Sequence, residues 1–262
     1  SLYKSDVAKR SVTKAALCKA RLKLRFQEFV ELNHKLNNFF DTHFNPKTWL
    51  GFRLLAIDGS TVRLPHTPNI KKHFGVFRCS KGKPSPMARL SQLFDCLNKI
   101  TVDACIGPKH VGERDIAADH CLQLMPNDLV LLDRGYPAWW LFALIRSVNA
   151  DFCARISNQW KIVKTFMASG KKEAIVYLPM PATASKAASK LDLTSTPLKL
   201  RLIRIDLEDK SRVLITSLVD SEKYPYGVFS DLYHQRWPVE EDYKVVKCRM
   251  ELENFTGKTA LS

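Results

Sequence analysis

The sequence predicts an α/β domain built on a mixed β-sheet, and three observations carry that expectation. Two short apolar runs, RLLAID at 53–58 and LVLLD at 129–133, have the length and composition of buried strands, and each ends in an aspartate. Between and beyond them, from 87 to 157, strand-like and helix-like segments alternate. Strictly alternating segments then follow, before a final stretch with helical spacing.

Taken in order, residues 11–42 read as one or two amphipathic helices capped by Ser11 or Thr13. Leu17, Leu22, Leu24, Phe26, Phe29, Val30 and Leu32 supply the apolar side, while Lys14, Lys19, Arg21, Lys23 and Arg25 make the first half basic. Such a segment either packs on a core or faces a polyanion. After the strand at 53–58, MARLSQLFDCL at 87–97 and KITVDACIG at 99–107 read as two more strands. GERDIAADHCLQLM at 112–125 reads as a helix capped by Glu113 and Asp115, acids placed where the helix dipole favours them. PAWWLFALIRSVN, from 137, is a further helix, and FCARIS at 152–157 a strand. Residues 161–211 read as a β-rich insertion, with KEAIVYLP and LKLRLIRIDL as antiparallel strands around PATASKAASK, a small-residue linker without core-forming content. VLITSLV at 213–219 is another strand, and 228–256 a long terminal helix.

The chain then divides into an N-terminal helical segment, 1–48, expected to bind DNA, a first part of the α/β core, 49–160, the insertion, 161–211, and a second part of the core, 212–262. Lys and Arg number 41 against 26 Asp and Glu, a net charge of +15 that points to a polyanionic partner, nucleic acid first. No membrane association is expected, because the longest apolar run, PAWWLFALI at 137–145, is too short to span a bilayer. No secretory signal opens the chain. The seven cysteines are scattered singly without a CxxC pair, which argues against a zinc ribbon and a disulfide framework and for a reducing cytoplasm.

The chemistry begins with Asp58 and Asp133. A carboxylate at the end of a central strand needs a cation or hydrogen bonds to offset its burial. Each also has a plainer reading: Asp58-Gly59 as a hairpin turn, and Asp133 bonded locally to Arg134 or Gly135. The stretch YHQRWPVEEDYKVVK at 233–247 adds a third carboxylate. On an ideal helix, at about 100° per residue, Arg236, Glu240 and Lys247 fall within about 60° of Tyr233. Leu232, Val239, Tyr243, Val246 and Met250 form the neighbouring apolar stripe, and Pro238 either kinks the helix or begins a new one. The face is a solvated surface of ion pairs, or a site presenting one carboxylate among three phosphate-contacting groups. Three converging carboxylates repel unless a divalent cation joins them, and hard oxygen donors suit Mg²⁺ or Mn²⁺. A pair of such ions serves phosphodiester chemistry.

LLAIDGST, LVLLDRGY and Y-x2-R-x3-E-x6-K resemble the three blocks of the DDE transposases of the insertion-sequence-four group. The last agrees with that group's YREK signature at every spacing, as Tyr233, Arg236, Glu240 and Lys247. GERD at 112–115, the strand containing TSL at 215–218 and ENFTGKT at 253–259 extend the resemblance over most of the chain. It implies a ribonuclease-H-like fold in which Asp58, Asp133 and Glu240 hold the catalytic Mg²⁺ or Mn²⁺, as two ions. Tyr233, Arg236 and Lys247 would hold DNA phosphates near the cleaved end. Cut-and-paste transposition is the implied activity, with transposon terminal repeats and target DNA as partners, a homodimer on DNA, and a cytoplasmic, nucleoid-associated location. Trp160 either stacks on a flipped base, as an insertion Trp does in some relatives, or packs at a junction. KKHFGVFRCSKGK at 71–83 would place Arg78, Lys81 and Lys83 on the DNA backbone, or else is a solvated loop. His73, His110 and His234 show no ligand spacing. Pro238 inside the signature and shortened flanks depart from the family pattern. Two other readings stay open: a DNA-binding remnant without catalysis, and a stand-alone metal-dependent nuclease.

Overall fold

A computed structural model describes residues 13–21, 23–77, 84–207, 210–255 and 257. Helices α1 (Lys14–Arg21) and α2 (Phe26–His43) precede β1 (Arg53–Arg63), α3 (Pro68–Phe74), β2 (Val76–Phe77), β3 (Ser85–Asp95) and β4 (Ile100–Gly107). Then come α4 (Glu113–His120), β5 (Asp128–Leu132), α5 (Trp139–Ser147) and β6 (Asp151–Ile156). The segments α6 (Lys161–Ala168), β7 (Glu173–Leu178), α7 (Ser185–Lys190), β8 (Leu198–Leu207) and β9 (Lys210–Thr216) follow. The chain closes with α8 (Val228–His234), α9 (Trp237–Lys244) and a π-helical turn at Val245–Arg249.

Among the described residues the strands form one nine-stranded mixed sheet in the order β2-β3-β1-β5-β6-β9-β8-β7, with β4 also paired to β3. β1, β5 and β6 run parallel, and every other pairing is antiparallel. The run β4-β3-β1-β5-β6, antiparallel and then parallel, is the ribonuclease-H-like arrangement the sequence resemblance implies.

The central strands are apolar on both faces because both faces are covered. Leu55 and Ile57 of β1, with Val130 and Leu132 of β5, pack with residues of α4, α5 and α6. Leu54 and Ala56, with Leu129 and Leu131, pack instead with Phe229 and Leu232 of α8 and Val239 and Tyr243 of α9. Alternation along each strand therefore assigns every residue to one of two cores. At the far side of the sheet, Arg201 of β8 is buried. Its guanidinium pairs with Glu173, donates to the Tyr224 carbonyl at 2.7 Å and lies 5.1 Å from the Phe229 ring, which fixes the start of α8.

Four local expectations change. β1 does not end at Asp58 but runs on to Arg63, so Asp58-Gly59 is strand and not a hairpin turn. The β-rich segment opens with helix α6, whose Val163 and Phe166 are buried, and its two strands extend the central sheet through β9. PATASKAASK is not an idle linker: Ala184 and Ala188 are buried in the core beside α5, where small side chains let the short α7 approach closely. Finally, the terminal helix is broken at 235–236, and Pro238 takes the first turn of α9, where its missing N–H leaves no bond unmade.

Candidate active site

Alternation places the two aspartates together. The parallel pairing of β1 with β5 ends at Ile57 opposite Leu132, so Asp58 and Asp133 are the next residues on neighbouring strands. Counting back in twos, Asp58 shares the face of Leu54 and Ala56, and Asp133 that of Leu129 and Leu131. That face is the one covered by α8 and α9. Gly59 allows a close approach, since a Cβ there would lie 3.2 Å from the Tyr136 hydroxyl oxygen.

The groups of the 233–247 stretch reach the same two aspartates and the β1 residues just beyond them, though from two helices and a π-helical turn rather than one helix face. Arg236 Nη1 lies 3.6 Å from Asp58 Oδ1, and its other Nη pairs with Glu240 one turn on. The Tyr233 hydroxyl donates to the Leu132 carbonyl at 3.3 Å. Lys247 Nζ donates to Ser60 Oγ at 2.5 Å and to the Thr61 carbonyl at 2.6 Å. Asp133, Tyr233, Arg236 and Glu240 line a cleft of about 510 Å³, and Asp58 joins them through Arg236. α9 is pinned to β1 by Tyr243, whose hydroxyl donates to the Asp58 carbonyl at 2.8 Å.

Charge is dense here. Burial pushes the Asp58 carboxyl up to about 6; the Arg236 guanidinium and the Gly59 amide oppose the rise, while the charges of Asp133 and Glu240 add to it. Burial likewise lifts the Tyr233 phenol to about 12, so it stays a neutral donor. Among the described residues no three His, Cys, Asp or Glu side chains are spaced to hold a metal ion, and Glu240 is paired with Arg236. The donor chemistry nonetheless fits a hard divalent ion: two carboxylates stand side by side where β1 and β5 stop pairing, and the repulsion felt at Asp58 is what such an ion relieves.

Other expected site residues fall elsewhere. Arg78, Lys81 and Lys83 lie outside the described residues. Trp160 caps α6, packs against the core and lines a separate apolar cleft of about 760 Å³ with Trp139 and Phe166. Asp133 Oδ1 accepts from the Gly135 amide at 2.6 Å, the local bond its sequence allowed. Asp115 caps α4 by accepting from the Gly112 amide at 3.2 Å, whereas Glu113 pairs with Arg89 at 2.5 Å. Sequence reasoning missed Arg155 and Arg212, which line the cleft with Asp133 and also a neighbouring one of about 580 Å³ that includes Arg134. Arg212 Nε is buried without a hydrogen-bond partner. The signal for Arg155 was present, since it follows Cys153 by two on the face that Asp133 occupies.

Residues 49–260, which contain all of these groups, match the family described as Transposase DDE domain, and the chain belongs to that family. The transposase InsG for insertion sequence element IS4 of Escherichia coli (strain K12) is 27% identical over 217 residues, which cover 79% of this chain and 47% of that protein. A putative transposase, InsZ, of the same organism is 25% identical over 123 residues, covering 45% of this chain and 40% of its own length. The chain thus spans about half the length, or less, of these curated relatives. A cryo-EM structure of the piggyBac transposase synaptic complex with hairpin DNA overlaps 74% of this chain and 40% of its own, at 10% identity and a TM-score of 0.48. No helix among the described residues is long and apolar enough to cross a membrane.

Proposed function

We propose that this chain carries the catalytic core of a DNA transposase that cleaves transposon ends and joins them to target DNA by metal-dependent phosphoryl transfer. One observation carries the reading: Asp58, Asp133 and the Arg236–Glu240 pair converge where the pairing of β1 with β5 stops, in a chain of net charge +15. In this reading Asp58, Asp133 and Glu240 hold Mg²⁺ or Mn²⁺, as two ions. Bound there, such ions supply Lewis acidity that activates an attacking oxygen and stabilises the leaving one. Glu240 takes up that role by exchanging its bond to Arg236, which frees the guanidinium for a DNA phosphate. Tyr233, kept neutral by burial, donates to a second phosphate oxygen, and Lys247 contributes its charge from the edge of β1. Arg155 and Arg212 extend the basic wall along the cleft. Trp160 offers a stacking surface for a base, and Arg78, Lys81 and Lys83 contact the DNA backbone. Two transposon ends call for two copies of the chain on DNA, in the cytoplasm with the nucleoid.

The test is a cleavage assay on duplexes carrying the inverted repeats that flank the coding region, with Mg²⁺ and with a chelator. The expected outcome is metal-dependent nicking at the repeat ends, joining to a second duplex, and DNA affinity that falls steeply with salt. Nicking without joining would instead identify a stand-alone nuclease, and binding without nicking a catalytically silent remnant.

A further inference from the structure

Behind Asp58 lies a chain of buried hydrogen bonds that the cleavage chemistry does not use. His120, at the end of α4, is fully buried. Its Nδ1 lies 2.7 Å from Asp103 Oδ2 on β4, and its Nε2 3.0 Å from Ser91 Oγ on β3. The Ser91 hydroxyl in turn lies 3.3 Å from the backbone carbonyl of Asp58, the same oxygen that accepts from Tyr243. Asp, His and Ser in this order look like a nucleophilic triad, but Ser91 is only 3% exposed and its hydroxyl is aimed at the main chain. It has no route to a substrate.

Counting hydrogens gives the chain a direction. A serine hydroxyl has one hydrogen. Ser91 gives it to the Asp58 carbonyl, and the His120 ring, held against Asp103 by its other nitrogen, backs the hydroxyl from behind. The same helix also holds the second strand end, because Arg114 Nε donates to the Gly135 carbonyl at 2.9 Å, two residues past Asp133.

We infer that Asp103, His120 and Ser91 are positioning residues that set the Asp58 carboxylate for its divalent ion. This rests on the reading of Asp58 as a metal ligand. The hydroxyls of Ser91 and Tyr243 clamp the Asp58 carbonyl from β3 and from α9, so the side chain leaves the strand at a fixed angle towards Asp133 and the helix that carries Glu240. Bonds that orient a ligand in this way are commonly worth about 10–100-fold in metal affinity.

The experiment uses the full chain without DNA. Mn²⁺ binding is followed through the electron paramagnetic resonance of the free ion. Ser91→Ala should weaken Mn²⁺ binding about tenfold or more, and Ser91→Thr, which keeps the hydroxyl, should restore it. If Ser91→Ala fails to fold, Asp103→Asn carries the same affinity comparison from a partly exposed position. Wild-type Mn²⁺ affinity in a folded Ser91→Ala chain would overturn the inference. Absence of Mn²⁺ binding in the wild-type chain would instead remove the metal reading on which it rests.

Discussion

Helices α9 and α2 offer a comparison that composition alone would decide the wrong way. α2 has 18 residues and a full apolar side, yet none of its residues is buried, and Phe26 and Phe29 are 65% and 59% exposed. α9 has eight residues, and only Val239 and Tyr243 point inward, yet both are buried. What differs is the surface each helix meets. α9 lies on a sheet face, where alternation presents Leu54, Ala56, Leu129 and Leu131. α2 lies along β4, which among the described residues pairs with β3 alone, and its contact is polar: Asn33 and Asn37 donate to the Val102 and Thr101 carbonyls at 2.9 and 3.2 Å. An open strand edge offers hydrogen bonds and little apolar area. A helix can satisfy that edge with none of its own residues fully buried.

The largest effect that would sharpen the contrast lies on α9. Glu240→Ala should reduce strand cleavage by roughly 10²–10³-fold or more, the scale of losing a charge partner of the transition state, while DNA-end binding holds or tightens. Glu241, one residue on, is exposed and pairs with Lys244 and the Trp237 indole, so Glu241→Ala should leave both measurements within about twofold. Cleavage and end-binding assays on the two variants decide it. A dispensable Glu240 beside an essential Glu241 would overturn the site assignment.

Next comes packing. Leu232→Ala on α8 removes a fully buried side chain from the core beneath the cleft and should destabilise the fold by about 2–5 kcal/mol. Urea denaturation would show this as a lower midpoint at unchanged slope. A loss below about 1 kcal/mol would mean that the α8–α9 face can collapse without consequence, and the comparison with α2 would lose its force.

Asp58 provides a smaller effect with a pH signature. Its carboxyl is raised in the folded chain from 3.8 to about 6, so the folded state favours the protonated form. That contribution is fully present below pH about 4 and is lost as pH rises through about 6. Asp58→Asn removes the ionisation, so in metal-free buffer at pH 7 it should raise stability by roughly 2 kcal/mol, with the gain vanishing below pH about 4. Thermal melts across that range check it. A variant less stable than wild type at pH 7 would mean that the bond to Arg236 outweighs burial.

Much of this site was legible before any coordinates. The alternation that makes RLLAID and LVLLD strands also puts Asp58 and Asp133 on one face, and the same count would have added Arg155. Other features depend on contacts between distant segments and leave no local trace. The Asp103–His120–Ser91 chain joins three elements, and none of the three residues stands in a pattern of its own. The break at 235–236 was visible as Pro238, but whether it would kink one helix or begin another depended on how α8 packs. PATASKAASK misled because alanine carries little apolar signal, yet it is the residue that lets a helix approach a core closely. The exposure of α2 was illegible for the opposite reason, since apolar periodicity predicts a helix but not what lies against it.

The smallest expected effect tests that last point directly. If α2 is held to β4 by its two asparagines and by no apolar burial, then Phe29→Ala should change the stability of the chain by less than about 0.5 kcal/mol, as for an exposed surface position. Asn37→Ala should cost more, about 1 kcal/mol, because it leaves the Thr101 carbonyl of β4 without its side-chain donor. The usual order, in which losing a phenylalanine outweighs losing an asparagine, should therefore be inverted on this helix. Amide hydrogen exchange provides a second reading: protection along α2 should fall in Asn37→Ala and persist in Phe29→Ala. If Phe29→Ala is the more damaging of the two, the apolar side of α2 is buried against something in solution, and α2 and α9 are two instances of one rule instead of a contrast.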